Sequence, residues 1–380
     1  MKMIKIAYLT VDDPKDYLSW SGLKLNMYKT LLSIGCKVDF IGPLKNFRRA
    51  PYVILREILN NFNIKYDSER KILLSKYYAK KIEKKLSKKK YDLIFTSDTY
   101  LVSYLKTDLP IILWLDVTYK TYFQHYFSKN KKHKSSFLEA NKLEERSLKR
   151  SNEIILTSKW ASNEAIKNYA LSSKKIKVIP FGSNINHSFI NKKSNKKRNY
   201  SVCNLISVGV DWKRKGMDKS IEVVKEMNLM GLKTNLTIVG AKTKKKLPNY
   251  VNMTGFLNKN NLIDRKKLIK IYQYSDFHIL LSSYEACGVV FSEASSFGLF
   301  NITHDVGGIS GVVKNNENGH RFKTVSNCKT IAKYIIKKFR NNKDFIKSRI
   351  NSKKYFDKYL DWNVNSKILK KLILKNISKR

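Results

Sequence analysis

Residues 281–308 read LSSYEACGVVFSEASSFGLFNITHDVGG and set two glutamates, Glu285 and Glu293, on either side of a small-residue turn. Just before them, residues 277–281 (FHILL) make the short continuous apolar run of a fully buried parallel strand. Polar Ser282 and Ser283 end that strand. From Gly288 on, Val289, Val290, Phe291, Ala294 and Phe297 recur at helical spacing, and Gly298 stands where a helix of about three turns stops. The reading is strand, turn and helix, half of a βαβ unit. The free N–H groups at such a helix start, with the positive end of its dipole, suit a phosphate. Ala286, Cys287 and Gly288 are small enough to let a ligand approach that backbone. Glu293, about one and a half turns in, would aim a carboxylate at the same crevice and accept two hydrogen bonds from a vicinal diol. Diol and phosphate together suggest the ribose and diphosphate of a nucleotide. On spacing alone, an ordinary strand-turn-helix with solvated glutamates fits equally well.

A second segment sharpens the choice. Residues 205–209 (LISVG) read as another buried strand, followed by Val210, Asp211, Trp212, Lys213, Arg214, Lys215 and Gly216, then by an amphipathic helix over residues 217–230. In open α/β sheets ligands bind at the carboxyl ends of the strands. Lys213, Arg214 and Lys215 are therefore placed to neutralise a diphosphate through charge-assisted hydrogen bonds. Any single lysine in so basic a chain is more often a solvated surface charge, and Lys215 is set apart only by the resemblance that follows.

These segments resemble the GT-B-fold glycosyltransferases of family 4, the large group of retaining nucleotide-sugar transferases. The matching pieces are SVGVDWKRKGMD at 207–218, LTIVG at 236–240, TGF at 254–256, SDFHILLSSYEACGVVFSEASSFGLF at 275–300 and DVGG at 305–308. Upstream, SWSG at 19–22, TSKWASNEAIKNYA at 157–170 and VIPFGSNIN at 178–186 are similar to segments of one branch of that family. The fold implied is α/β, with two doubly wound Rossmann-like domains facing across a cleft. By the same resemblance Lys215, with Arg214 beside it, holds the donor diphosphate, Glu293 grips the ribose hydroxyls and Glu285 faces the donor sugar. Backbone N–H groups of Cys287, Gly288 and Val289 would touch sugar or phosphate, Phe256 and Leu257 would lie near the base, and Gly22 would let the first domain approach the diphosphate. The activity implied is retaining transfer of a sugar from a nucleoside-diphosphate-sugar to a glycan, a lipid-linked or another hydroxyl acceptor. In that scheme the leaving phosphate helps to take the acceptor proton, and no protein nucleophile is required.

Two departures from the family pattern stand out. Val210 occupies a position where many members carry arginine, so the cationic load falls on Lys213, Arg214 and Lys215. Asp116, after the strand IILWL, stands where many carry histidine. Asp116 is then the first choice for orienting the acceptor hydroxyl or donor sugar, with His125 as the alternative. No Asp-x-Asp triplet occurs in the chain, and protein cations would take over the electrostatic task of a divalent ion. The expectation is no catalytic metal and no cofactor beyond the donor itself. Other readings are a GT-B phosphorylase using phosphate or a sugar phosphate, and a basic, non-catalytic binding protein.

The chain has 380 residues, 42% of them hydrophobic, enough for two domains with real cores. No run approaches the roughly 20 apolar residues of a membrane span, and the N-terminal run is too short for a signal peptide, so a cytoplasmic protein is expected. Four cysteines, Cys36, Cys203, Cys287 and Cys328, are widely spaced and form no Cys-x-x-Cys pair, so neither a zinc site nor a disulfide framework is indicated. The formal net charge of +46 invites nucleic acid as a partner, but the lysines are dispersed and no nucleic-acid-binding motif accompanies them. An anionic membrane surface fits that charge better, and with it a peripheral location at the inner face of the membrane.

Along the remainder, strands are expected at residues 4–10, 37–41, 92–96, 111–115, 153–157 and 177–179, with helices at 22–34, 68–89 and 138–148. Residues 47–67 read as irregular. The alternation points to parallel doubly wound sheets. The expected division is a first, acceptor-binding domain over 1–190, a linker over 191–200 (NKKSNKKR at 191–198), a donor-binding domain over 201–350, and a terminal stretch over 351–380 whose helix returns to the first domain. A basic membrane-surface helix remains the other reading of that stretch.

Overall fold

The computed structural model describes residues 3–44, 46–127, 131–185 and 201–378. The expected linker at 191–200 lies outside the described residues. The chain divides into two compact units, residues 1–179 with 365–380, and residues 180–364.

In the first unit the elements run β1 (Lys5–Leu9), α1 (Leu23–Ser33), β2 (Lys37–Ile41), α2 (Ala50–Asn61), β3 (Ile64–Lys65), α3 (Ile72–Leu86), β4 (Leu93–Thr96), β5 (Ile111–Leu115), α4 (Tyr119–Tyr126), β6 (Lys131–Lys132), α5 (Lys134–Arg150), β7 (Glu153–Leu156), α6 (Lys159–Tyr169) and β8 (Ile176–Val178). Six strands form one parallel sheet in the order β2-β1-β4-β5-β7-β8. Its central strands are buried throughout, which is why β5 could afford the run IILWL with no polar residue. Trp114 and Phe95 meet edge to face at its centre. β3 and β6 form a separate two-stranded ribbon.

Two expectations for this unit need correction. Residues 47–67 are not irregular: α2 occupies most of them, with Pro51 in its first turn, where a missing N–H costs nothing. The expected helix over 68–89 begins later, at Ile72, because the Asp67 carboxylate draws the N–H groups of Glu69 (2.8 Å) and Arg70 (2.7 Å) into a turn of their own.

The second unit continues with β9 (Cys203–Gly209), α7 (Met217–Leu229), β10 (Thr234–Gly240), β11 (Val251–Gly255), α8 (Leu262–Tyr274), β12 (Phe277–Leu280), α9 (Val289–Ser296), β13 (Phe300–His304), β14 (Gly319–Phe322), α10 (Cys328–Arg340), α11 (Asn342–Tyr355) and the start of α12 (Trp362–Ile377). Its parallel sheet has the order β11-β10-β9-β12-β13-β14. Counted within the unit this is 3-2-1-4-5-6, the doubly wound order whose reversal between β9 and β12 opens a crevice at the strands' carboxyl ends. Side-chain caps start several helices here: Asn261 accepts from Ile263, Asn327 from Thr330 and Asn341 from Asp344.

The boundaries also differ from expectation. Residues 180–185 belong to the second unit, since the Phe181 carbonyl accepts from the Ser292 hydroxyl (3.0 Å) and the Ser183 carbonyl from the Trp362 indole (2.9 Å). Residues 351–364 belong there too: the Ser352 hydroxyl donates to the Leu299 carbonyl at 2.6 Å, and Arg349 donates to the carbonyls of Ser275, Asp276 and Phe297. From Asn365 onward the chain joins the first unit.

Candidate active site

The crevice between β9 and β12 is assembled from backbone before any side chain enters it. Gly216, with φ +66°, lies so close to β12 that a Cβ there would sit 2.1 Å from the Leu281 carbonyl oxygen. This lets the turn after β9 lean on the end of β12, where the Ser283 N–H donates to the Arg214 carbonyl at 2.8 Å. Gly209 leaves room for the Lys215 stem, which a Cβ would meet at 2.8 Å. Lys215 is thereby buried, with its ammonium delivered inward.

That ammonium donates to Glu285 Oε1 at 2.6 Å. The same oxygen accepts from Arg214 Nη1 at 3.2 Å and from the Ser282 hydroxyl at 2.9 Å. Arg214 also donates to the Tyr284 carbonyl at 3.2 Å and pairs with Asp211 at 3.4 Å. The backbone of Glu285 is fixed as well. Its carbonyl accepts from the Gly308 N–H at 2.9 Å, and a Cβ on Gly307 would lie 2.2 Å from it. The DVGG segment is thus the loop that seats Glu285. Its side-chain carboxylate binds the two cations, contacts that the expectation of a residue facing the donor sugar did not include. Lys213 is exposed, so the structure draws two of the three expected cations inward, the turn at residues 213–216 rotating the first one out.

α9 starts at Val289, behind an N-cap glycine, Gly288, at φ +71° that brings no side chain to cap it. Its eight residues make a little over two turns, and it stops at Gly298 as expected: that residue (φ +70°) reverses the chain and the Leu299 N–H closes on the Ala294 carbonyl. Cys287 is buried and Val289 half-buried at this start. Glu293, on the fifth residue of α9, is buried. Its Oε2 accepts from the Tyr272 hydroxyl at 3.2 Å, and its Oε1 pairs with the Lys259 ammonium. Burial, and then the Glu293 charge, hold the Tyr272 phenol protonated far above its ordinary range, which keeps it a donor. Tyr272 stacks on Phe297 at 5.1 Å. Neither Lys259 nor Tyr272 was singled out in the sequence. Lys259 sits in an asparagine-rich loop with no distinguishing pattern, and the helical spacing of Tyr272 reads as core.

Phe256 is half exposed just past β11, whereas the Leu257 side chain packs in a core cluster with Leu268 and Tyr272. A role for Leu257 beside a base is therefore confined to its backbone. His278 is a core residue, its Nδ1 2.8 Å from Asn301 Oδ1, and burial pushes its imidazole down to about 4. His304 Nδ1 lies 3.2 Å from the Ser282 carbonyl, and burial lowers its pKa too, so it stands neutral beside the Glu285 turn.

In the first unit, the SWSG segment is a strained turn. Trp20, Ser21 and Gly22 have φ of 47°, 57° and 83° in succession, the last immediately before α1. At the switch between β1 and β4, buried Lys24 bridges Asp98 (2.8 Å) and Asp12 (3.6 Å), an ion pair spanning 74 residues that no local pattern signals. Asp116 ends β5, its Oδ1 accepting from the Val117 N–H at 2.7 Å, and burial pushes its carboxyl up to about 6. His125 is exposed, its ring 5.4 Å from Trp160. Among the described residues no cluster of three or more His, Cys, Asp or Glu could hold a metal ion, and no helix is long and apolar enough to cross a membrane.

Each unit thus carries a doubly wound sheet, and the second sets Arg214 and Lys215 on buried Glu285 and Lys259 on buried Glu293. Residues 188–357 match the family model for glycosyl transferases group 1, and residues 25–187 match the model for Glycosyltransferase Family 4. No curated protein sequence matches the chain. Among solved structures, a sucrose-phosphate synthase from Thermosynechococcus elongatus superposes with a TM-score of 0.70 at 15% identity, over 99% of this chain and 100% of that one. A glycosyltransferase from Rickettsia africae gives 0.69 at 15% identity, covering 100% of both chains. HepE of Anabaena, solved in complex with UDP-glucose, gives 0.64 at 15% identity over 99% of this chain and 100% of that one. At such identity these structures speak to the fold alone, which is GT-B. With the two family models covering both units in sequence, the chain belongs to the family 4 type, group 1 glycosyltransferases and is an enzyme of that class.

Proposed function

We propose that the enzyme moves a sugar from a nucleoside-diphosphate-sugar to an acceptor hydroxyl, with retention and without a metal ion. The observation that carries this reading is the pairing of Lys215 and Arg214 with Glu285 at the β9/β12 switch, one helix away from the buried Glu293. Lys215 and Arg214 would neutralise the diphosphate, and Glu285 holds them in position before it arrives. Glu293, with Tyr272 fixing one oxygen, would take the ribose hydroxyls. The uncapped start of α9 would meet phosphate or sugar oxygens through Cys287, Gly288 and Val289 N–H groups. Phe256 offers an exposed ring for a base. The solved HepE complex with UDP-glucose, on the same fold, is in keeping with this donor class.

In the transfer, the acceptor oxygen forms a bond to the anomeric carbon while the bond from that carbon to the diphosphate oxygen breaks. The acceptor proton passes to the departing diphosphate, whose charge Lys215 and Arg214 stabilise. In the first unit Asp116, its carboxyl pushed up to about 6 by burial, would orient the acceptor hydroxyl. A thermal-shift panel of nucleoside diphosphates and their sugars tests the donor class. A true donor nucleotide at about a hundred times its Kd should stabilise the protein by about 2.7 kcal/mol, while inorganic phosphate and glucose 1-phosphate should not. Stabilisation by sugar phosphate alone would instead favour a phosphorylase. Turnover that EDTA abolishes and manganese restores would remove the metal-free part of the proposal.

A further inference from the structure

Helix α2 turns its most apolar face toward solvent. Phe47, in the turn Phe47–Arg49 that leads into it, is 82% exposed, and Ile54, Ile58 and Phe62 are 61%, 51% and 69% exposed. Leu55 is exposed beside them. At about 100° per residue, these five side chains fall within one arc of about a third of the helix circumference. The opposite side, with Tyr52, Val53 and Leu59, is half-buried, and no residue of α2 is fully buried. A helix in a globular domain ordinarily faces such a stripe inward. Single exposed apolar residues are common, but a continuous row of two phenylalanines, two isoleucines and a leucine is not.

Cations border the row. Residues 47–65 hold Arg48, Arg49, Arg56 and Lys65 against Glu57 alone, net +3; Arg49 is paired with Glu69 at 2.5 Å and Arg56 with Glu57 at 2.6 Å, so Arg48 and Lys65 carry the excess charge at the two ends of the row. The ribbon that follows Phe62 pairs Ile64 and Lys65 with Lys131 and Lys132, both exposed. An apolar row with Arg48 at one end and Lys65, Lys131 and Lys132 at the other matches a bilayer boundary, where acyl chains meet anionic headgroups. A second copy of this chain is a poor occupant, because each carries the same formal charge of +46. We propose that α2 and the turn before it form a docking surface for a bilayer containing anionic lipid, holding the enzyme at a membrane surface without crossing it. This proposal does not rest on the assignment of the donor.

Co-sedimentation with vesicles tests it. Wild-type protein should pellet with vesicles of equal parts phosphatidylcholine and phosphatidylglycerol and stay in solution with phosphatidylcholine alone. The triple variant Phe47→Ser, Ile58→Ser, Phe62→Ser should lose at least about a hundredfold in partition, since full burial of one such side chain is worth about tenfold or more. An unchanged melting temperature would show that the variant still folds. Arg48→Gln with Lys131→Gln and Lys132→Gln should weaken binding to the anionic vesicles as well. Equal pelleting of wild type and triple variant would overturn the proposal, assigning any binding to diffuse charge. So would wild-type protein that ignores anionic vesicles, or that forms a dimer which the triple variant dissolves.

Discussion

Lys215 and Glu285 are linked by a contact whose removal from either side should cost unequal amounts. Their charged atoms lie 2.6 Å apart, with side-chain exposures of 11% and 4%. At an effective dielectric of about 20 the direct attraction is about 6 kcal/mol, most of it offset by the desolvation of both groups. What a substitution measures is the charge left behind. In Glu285→Gln, Lys215 and Arg214 remain side by side with their shared counter-charge gone, which should cost about 3–5 kcal/mol. In Lys215→Met, Glu285 keeps Arg214 at 3.2 Å and Ser282 at 2.9 Å, so the loss should be nearer 1–3 kcal/mol. The double variant should recover part of the sum, with a coupling of about 2 kcal/mol. Urea unfolding of the four proteins gives these values, and hydrogen exchange at β9 and β12 localises them to the second unit. A diphosphate ligand should stabilise Glu285→Gln more than Lys215→Met, because it replaces the missing negative charge. Equal costs for the two single variants, or strict additivity, would refute the reasoning.

Other expectations follow from neighbouring groups. His278 has its pKa lowered from 6.5 to about 4, so the unfolded chain binds the proton first as pH falls. Its contribution is intact above pH 6.5 and lost down to about pH 4, about 3 kcal/mol at 1.4 kcal/mol per unit, and His278→Gln should flatten that part of the stability profile. Lys259→Met should release Glu293 for ribose and raise nucleoside diphosphate affinity several-fold by calorimetry; a fall would mean that Lys259 itself holds the nucleotide. Gly216→Ala should cost about 2–4 kcal/mol in urea unfolding and weaken diphosphate binding with it, since its Cβ would press on the Leu281 carbonyl at a φ of +66°.

Much of the fold could be read from the chain because parallel strands buried on both faces write themselves as unbroken apolar runs. LISVG, FHILL and IILWL each became a strand with an end within two residues of the expected one. α2 was missed because its helical period belongs to a face that no core covers, set among tyrosine and asparagine that read as loop. Within the site, spacing showed that Glu285 and Glu293 flank a helix start, but not which way each carboxylate turns. That depends on how the turn after β9 leans on β12 through Gly216, a register between segments 70 residues apart. The Lys259 contact with Glu293 and the Lys24 contact with Asp98 have the same origin, each joining a loop to a helix at a meeting set by the sheet order.

The central claim, that Glu293 holds the ribose of a bound nucleotide, is tested by comparing a nucleoside diphosphate with its 2′,3′-dideoxy counterpart by titration calorimetry. Wild-type protein should bind the ribonucleotide at least about tenfold more tightly, since each lost hydrogen bond to a charged group is worth about 1.5–3 kcal/mol. Glu293→Ala should bind both weakly and alike. Equal affinity of wild-type protein for the two nucleotides, or discrimination that survives Glu293→Ala, would contradict the account.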